Sequence, residues 1–90
     1  LFLLAEAMIE GGIEAGLDPQ VADSLVRQTL LGAAGLLSGE ERSATQLRKA
    51  VTSKGGTTAA ALSVMNECGV PQSIIDAVVA ARDRGRELCE

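Results

Sequence analysis

Ninety residues can make one small domain, spanning 1–90, and a chain of that size buries only a modest fraction of its surface by itself. The 47% of hydrophobic residues are mostly Ala, Leu, Val and Ile, with Phe2 the single aromatic and no His, so the core is thin and a partner subunit would help to complete it. A net charge of −4 without a basic stripe or stacking aromatics excludes nucleic acid as a partner, and two cysteines without histidine exclude a four-ligand zinc site.

Leu1, Leu4, Ala5, Met8, Ile9, Gly12 and Ile13 recur at spacings of three and four, the face of a first helix. This helix opens in an apolar run with no capping residue, no initiator Met and no basic leader of a signal peptide. The expectation is a chain that starts inside a helix, with a segment upstream of it removed. No apolar stretch approaches the ~20 residues that span a bilayer, so no membrane role is expected.

Gly16 closes the first helix, and Asp18-Pro19 opens a second, with Asp18 as its N-cap and Pro19 in the first turn. That helix should run to about Ser38 and stop at Gly39. Its apolar residues, from Val21 to Leu37, cover more than one face, which predicts burial on several sides. Gly32 and Gly35 would let another backbone come close. A central helix of a monomer and a helix shared between subunits both fit, and the shortness of the chain favours sharing.

Ser43 can cap a short helix through Ala44, Leu47 and Ala50 to Val51, with Arg48 and Lys49 facing solvent. A helix carrying Ala61, Leu62, Met65 and Cys68 follows the next turn and stops at Gly69. Val70-Pro71 begins the last helix, whose buried side should hold Ile74, Ile75, Val78, Val79 and Ala81, and whose end carries Arg82, Arg84 and Arg86 as a solvated, dipole-complementing terminus. Nothing alternates as a strand does, so the fold class is all-α, with about five helices. Cys68 and Cys89 read as free thiols of a reducing cytoplasm.

The segment Val51-Thr52-Ser53-Lys54-Gly55-Gly56-Thr57-Thr58 carries the chemistry. Two glycines permit positive φ values, and a helix starting near Thr57 leaves its first amides unpaired at the positive end of the dipole. Ser53, Thr57 and Thr58 add hydroxyls at the same place. Such a turn suits a carboxylate or phosphate, although it lacks the order of a P-loop. It equally suits a plain helix connection in which Thr57 or Thr58 caps the next helix.

This string, with Ala61-Leu62 after it, resembles the V-x-S-P-G-G-T-T-x-x-A signature of the pyrroline-5-carboxylate reductases. Glu6-Ala7 to Gly16-Leu17, Leu30 to Ala34 and Arg82 to Leu88 resemble other helices of that family, so the likeness spans the chain. The resemblance implies the carboxyl-terminal helical domain of an enzyme that reduces 1-pyrroline-5-carboxylate to proline with NADPH or NADH. It implies a homodimer or higher oligomer of interleaved helices, a cytoplasmic location and no metal. A dinucleotide-binding domain, absent from this chain, would hold the cofactor.

The resemblance also implies site roles. Backbone amides of Gly56, Thr57 and Thr58, with Ser53, would hold the substrate carboxylate. Val51 would line the ring pocket, and the Thr58 hydroxyl, as the catalytic group, would position the imine or relay a proton through water. Glu41 reads as a solvated loop carboxylate. Lys54 stands where the family usually has proline, and Ser43-Ala44 where many members have His-Pro. The alternatives are a non-catalytic helical interaction module and a reductase of another cyclic imino acid.

Overall fold

The computed structural model describes residues 1–89, and among these every regular element is a helix: α1 (Phe2–Glu14), α2 (Pro19–Gly39), α3 (Ala44–Ala50), α4 (Thr57–Glu67) and α5 (Val70–Cys89). None of the described helices is long and apolar enough to cross a membrane. The chain divides into two compact units, Leu1–Leu47 and Arg48–Glu90.

In the first unit α1 packs against α2. The turn between them is made by the backbone: the Gly16 amide donates to Ile13 O (3.0 Å), the Leu17 amide donates to Gly12 O (3.0 Å), and Gly16 takes φ +108°. These paired bonds form a Schellman motif, which needs a residue at ease in the left-handed region. Asp18 stands at the N-cap of α2 with extended backbone, but its side chain makes no capping bond, and Pro19 supplies the helix start. Ala22, Val26 and Leu30, spaced by four, form the stripe of α2 that is best shielded, and Ala5, Met8 and Ile9 are half-buried on α1.

Close approach of the two backbones occurs at Gly12, where a Cβ would lie 3.1 Å from the Ala22 Cβ. The sequence suggested Gly32 and Gly35 for such an approach, yet a Cβ at either would meet nothing within 4 Å in this chain. The reason is length. The 13 residues of α1 reach about 20 Å, whereas the 21 of α2 reach about 31 Å, so the far end of α2 has no α1 beside it. Leu31 is 69% exposed, and the expected burial of α2 on several sides reduces to Ala22 and Val26. Gly39 also does not stop α2 by its own conformation. It is the last helical residue, and Glu40 ends the helix in extended backbone.

Ser43 starts α3 with a capping box, as its residue type suggests. The Gln46 amide donates to Ser43 Oγ (3.1 Å) and the Ser43 amide donates to Gln46 Oε1 (2.8 Å).

In the second unit α4 meets α5 through a bend at Gly69, which has φ +73° and donates its amide to Asn66 O (3.2 Å). The apolar face of α5, expected to be buried, is exposed at Ile74, Ile75, Val78 and Val79. The α5 arginines are exposed, and two of them are paired locally, Arg82 with Asp83 (2.9 Å) and Arg84 with Glu87 (2.9 Å), as a solvated helix end should be. Cys68 and Cys89 are exposed free thiols. They lie at opposite ends of α5, about 30 Å apart at 1.5 Å per residue, too far for a bridge within one chain.

The contrast between neighbouring glycines gives a test. Gly11 has open space where a Cβ would go, so Gly11→Ala should stabilise the protein by about 0.5–1 kcal/mol through helix propensity. Gly12→Ala should instead cost about 1 kcal/mol, because α1 and α2 must separate. Denaturant unfolding of both variants measures the difference, and equal effects would contradict the packing described.

Candidate functional site

The segment from Val51 to Thr58 is built by backbone geometry. Past the end of α3, the Thr52 amide donates to Lys49 O (3.2 Å) and the Thr52 hydroxyl donates to Arg48 O (2.5 Å). The chain then reverses over Ser53 to Gly56, closed by the Gly56 amide donating to Ser53 O (3.0 Å). Gly55 has φ +75° and Lys54 does not have positive φ, the pattern of a type II turn with Lys54 at its second position and Gly55 at its third.

The two glycines do different work. Only Gly55 needs the left-handed region. Gly56 is extended, at φ −86° and ψ −177°, and any residue could adopt that backbone. Space is its constraint: a Cβ there would lie 2.9 Å from Ser53 Oγ and 3.2 Å from Ser53 O. A side chain at position 56 would therefore turn the Ser53 hydroxyl aside and press on the carbonyl that closes the turn.

Gly56 is also the N-cap of α4, and having no side chain it cannot cap it. The first helical bond runs from the Ala60 amide to Gly56 O (3.1 Å). The amides of Thr57, Thr58 and Ala59, at the three positions before it, have no partner among the described residues. Thr57 and Thr58 do not cap α4, since they lie inside it. No acidic residue in the first turn offsets the positive end of the dipole.

The residues singled out in the sequence are thus brought together, with two refinements. Gly56 has already given its amide to Ser53, so it offers an uncluttered backbone rather than a donor. Ala59 joins Thr57 and Thr58 as a free donor, a role its side chain could not signal and that follows only once the N-cap is placed at Gly56. Thr58 and Ala59 are half-buried, while Val51, Ser53, Lys54 and Thr57 are exposed. Lys54 forms none of the ion pairs found among the described residues, and no group of His, Cys, Asp or Glu there is suited to a metal ion. Glu41 lies in the first unit, exposed. Chemically, the turn leaves a short run of unpaired N–H donors at the positive end of the α4 dipole, a chemistry that suits an anion.

The turn geometry can be tested by stability alone. Proline at position 54 presets the φ that this turn position uses and removes no backbone bond, so Lys54→Pro should stabilise by about 0.4–1 kcal/mol. Gly55→Ala should destabilise by about 1–2 kcal/mol, because alanine is strained at positive φ. Thermal unfolding of the two variants moving in the same direction would contradict a type II turn.

Comparison with known proteins identifies the family of the chain. The family model for pyrroline-5-carboxylate reductase dimerisation matches residues 1–88. A pyrroline-5-carboxylate reductase of Synechocystis sp. is 43% identical over 86 residues, covering 96% of this chain and 32% of that protein. One from Pisum sativum is 42% identical over 88 residues, covering 98% and 32%. Among solved structures, a pyrroline-5-carboxylate reductase from Coxiella burnetii superposes with a TM-score of 0.89 at 41% identity, over 97% of this chain and 32% of that one. The Plasmodium falciparum pyrroline carboxylate reductase, with NADP bound, superposes with a TM-score of 0.85 at 29% identity, over 89% and 32%. The chain thus spans about a third of the length of the relatives it matches. On these grounds the chain belongs to the pyrroline-5-carboxylate reductase dimerisation family.

Proposed function

We propose that residues 1–90 act as one helical domain that binds substrate and dimerises in a reductase converting 1-pyrroline-5-carboxylate to L-proline. The observation that carries this reading is the row of three unpaired amides, Thr57 to Ala59, behind a type II turn in a chain of this family.

In this reading the substrate carboxylate rests on the amides of Thr57 and Thr58, joined by Ala59, with the Ser53 hydroxyl as a further donor. Gly56 lets the carboxylate come close to the backbone, and Val51 lines the ring. Reduction needs positive charge on the imine, so the ring nitrogen must gain a proton. The Thr58 hydroxyl is too weak an acid to donate that proton alone. It positions the nitrogen and passes a proton from water.

In this reading the nicotinamide cofactor, NADP or NAD, is held mainly outside the described residues. They contain no strand, and so none of the strand-to-helix glycine turn that holds a dinucleotide pyrophosphate. This reading therefore requires a dinucleotide-binding domain elsewhere in the protein. The two exposed free thiols suit a reducing compartment, the cytoplasm.

Dimerisation is supported by the apolar surface each unit leaves uncovered, including Phe2 at 86% and Val78 at 66% exposure. A second copy would cover these residues and bring a neighbour to Gly32 and Gly35. Sedimentation equilibrium should find a dimer or larger assembly at micromolar concentration, and a monomer would contradict this part.

For the reaction, the full-length protein should oxidise NADPH or NADH with pyrroline-5-carboxylate, in preference to the six-membered imine. Thr58→Ala should slow imine reduction by about tenfold to a hundredfold with the fold unchanged. An unaltered rate would remove Thr58 from the mechanism. Lack of activity in the unsubstituted protein would remove the substrate reading itself.

A further inference from the structure

The way α3 ends differs from the ends of α1 and α4. Both of those helices finish on a glycine with positive φ, Gly16 and Gly69, whose amide returns to the helix. After α3 come Val51 and Thr52, and neither has that conformation. The last carbonyls of a helix have no N–H to accept from within it and must find partners outside. Thr52 alone supplies two, its amide to Lys49 O and its hydroxyl to Arg48 O. Thr29 and Ser73 also donate their hydroxyls to carbonyls four residues back, but each lies inside a helix. Thr52 lies outside one, and its side chain is half-buried and committed to the backbone.

We propose that Thr52 is a positioning residue for the substrate turn: by tying the end of α3 with both its donors, it sets the point from which Ser53 leaves and so the aim of the free amides of α4. The inference rests on the substrate reading above for its functional consequence, but its geometric part stands apart from that reading. Both donors of Thr52 are taken by carbonyls of α3, so neither is left for a substrate. Thr52 acts through Ser53, whose carbonyl closes the turn on Gly56.

The test compares Thr52→Val, which keeps the shape and loses the hydroxyl, with Thr52→Ser, which keeps the hydroxyl. In the full-length protein Thr52→Val should raise KM for pyrroline-5-carboxylate about fivefold, the effect of losing one hydrogen bond of ordinary strength. The kcat should stay within about twofold, and KM for the cofactor should not move. Thr52→Ser should restore the wild-type KM. Hydrogen exchange of the Gly56 amide gives a readout independent of catalysis: about fivefold faster in Thr52→Val and unchanged in Thr52→Ser.

Gly56 exchange and substrate KM both unmoved in a folded Thr52→Val protein would overturn the proposal. So would Thr52→Ser behaving as Thr52→Val does, since the hydroxyl would then not be the operative group. Faster Gly56 exchange in a protein that lacks reductase activity would support the positioning role while removing the substrate assignment.

Discussion

A helical chain in which Ala22 and Val26 are the only buried residues among those described is not held together by its own core. That shortage shapes the rest of the structure. Within the first unit the contact of α1 with α2 depends on backbones coming close at Gly12 and Ala22, where small residues allow dispersion contacts that large side chains would otherwise provide. Apolar residues that find no such neighbour, among them Leu31 and Ile74, face solvent in the isolated chain. The composition and the structure therefore agree on one requirement: apolar surface must be covered by something beyond this chain. A dimerisation family is where such a requirement is expected.

Where a core cannot dictate geometry, local backbone chemistry does. The helix boundaries from the start of α3 to the start of α5 each have their own device: the capping box of Ser43 and Gln46, the two bonds of Thr52, the type II turn closed between Ser53 and Gly56, and the Gly69 bend. These act over four or five residues and do not rely on distant packing. A site made this way can keep its shape on a chain whose wider stability depends on a partner. In the proposed reading it also explains why the donors are backbone amides rather than long side chains, which would need a packed surround to hold them still.

Much of this was legible in the sequence because the signals are short-range. Gly16, Pro19, Ser43, Gly69 and Val70-Pro71 act by local backbone preference, and the end of α1, the starts of α2 and α3, the end of α4 and the start of α5 fall close to them. The glycine pair was legible as a turn, but not the division of work within it, since left-handed φ at Gly55 and crowding at Gly56 leave the same letter in the sequence. Asp18 stood at the right place without making the bond its side chain could make. Long-range features were harder. Small residues at Gly32 and Gly35 advertise room for a neighbour, but the pattern does not say which neighbour, and within this chain α1 is too short to reach them. The contribution of Ala59 was invisible because an amide belongs to every residue and becomes a donor only by its position.

In the proposed reading a carboxylate is received by the free amides at the start of α4. Amide proton and nitrogen shifts of the full-length protein during titration with L-proline, the product that carries the same carboxylate, test it most directly. Prolinamide, which lacks the negative charge, serves as control. Large saturable shifts are expected at Thr57, Thr58 and Ala59 with proline, much smaller ones at Gly56, whose amide is already bonded to Ser53, and little effect of prolinamide. Proline shifts centred on other residues, or equal responses to proline and prolinamide, would contradict it.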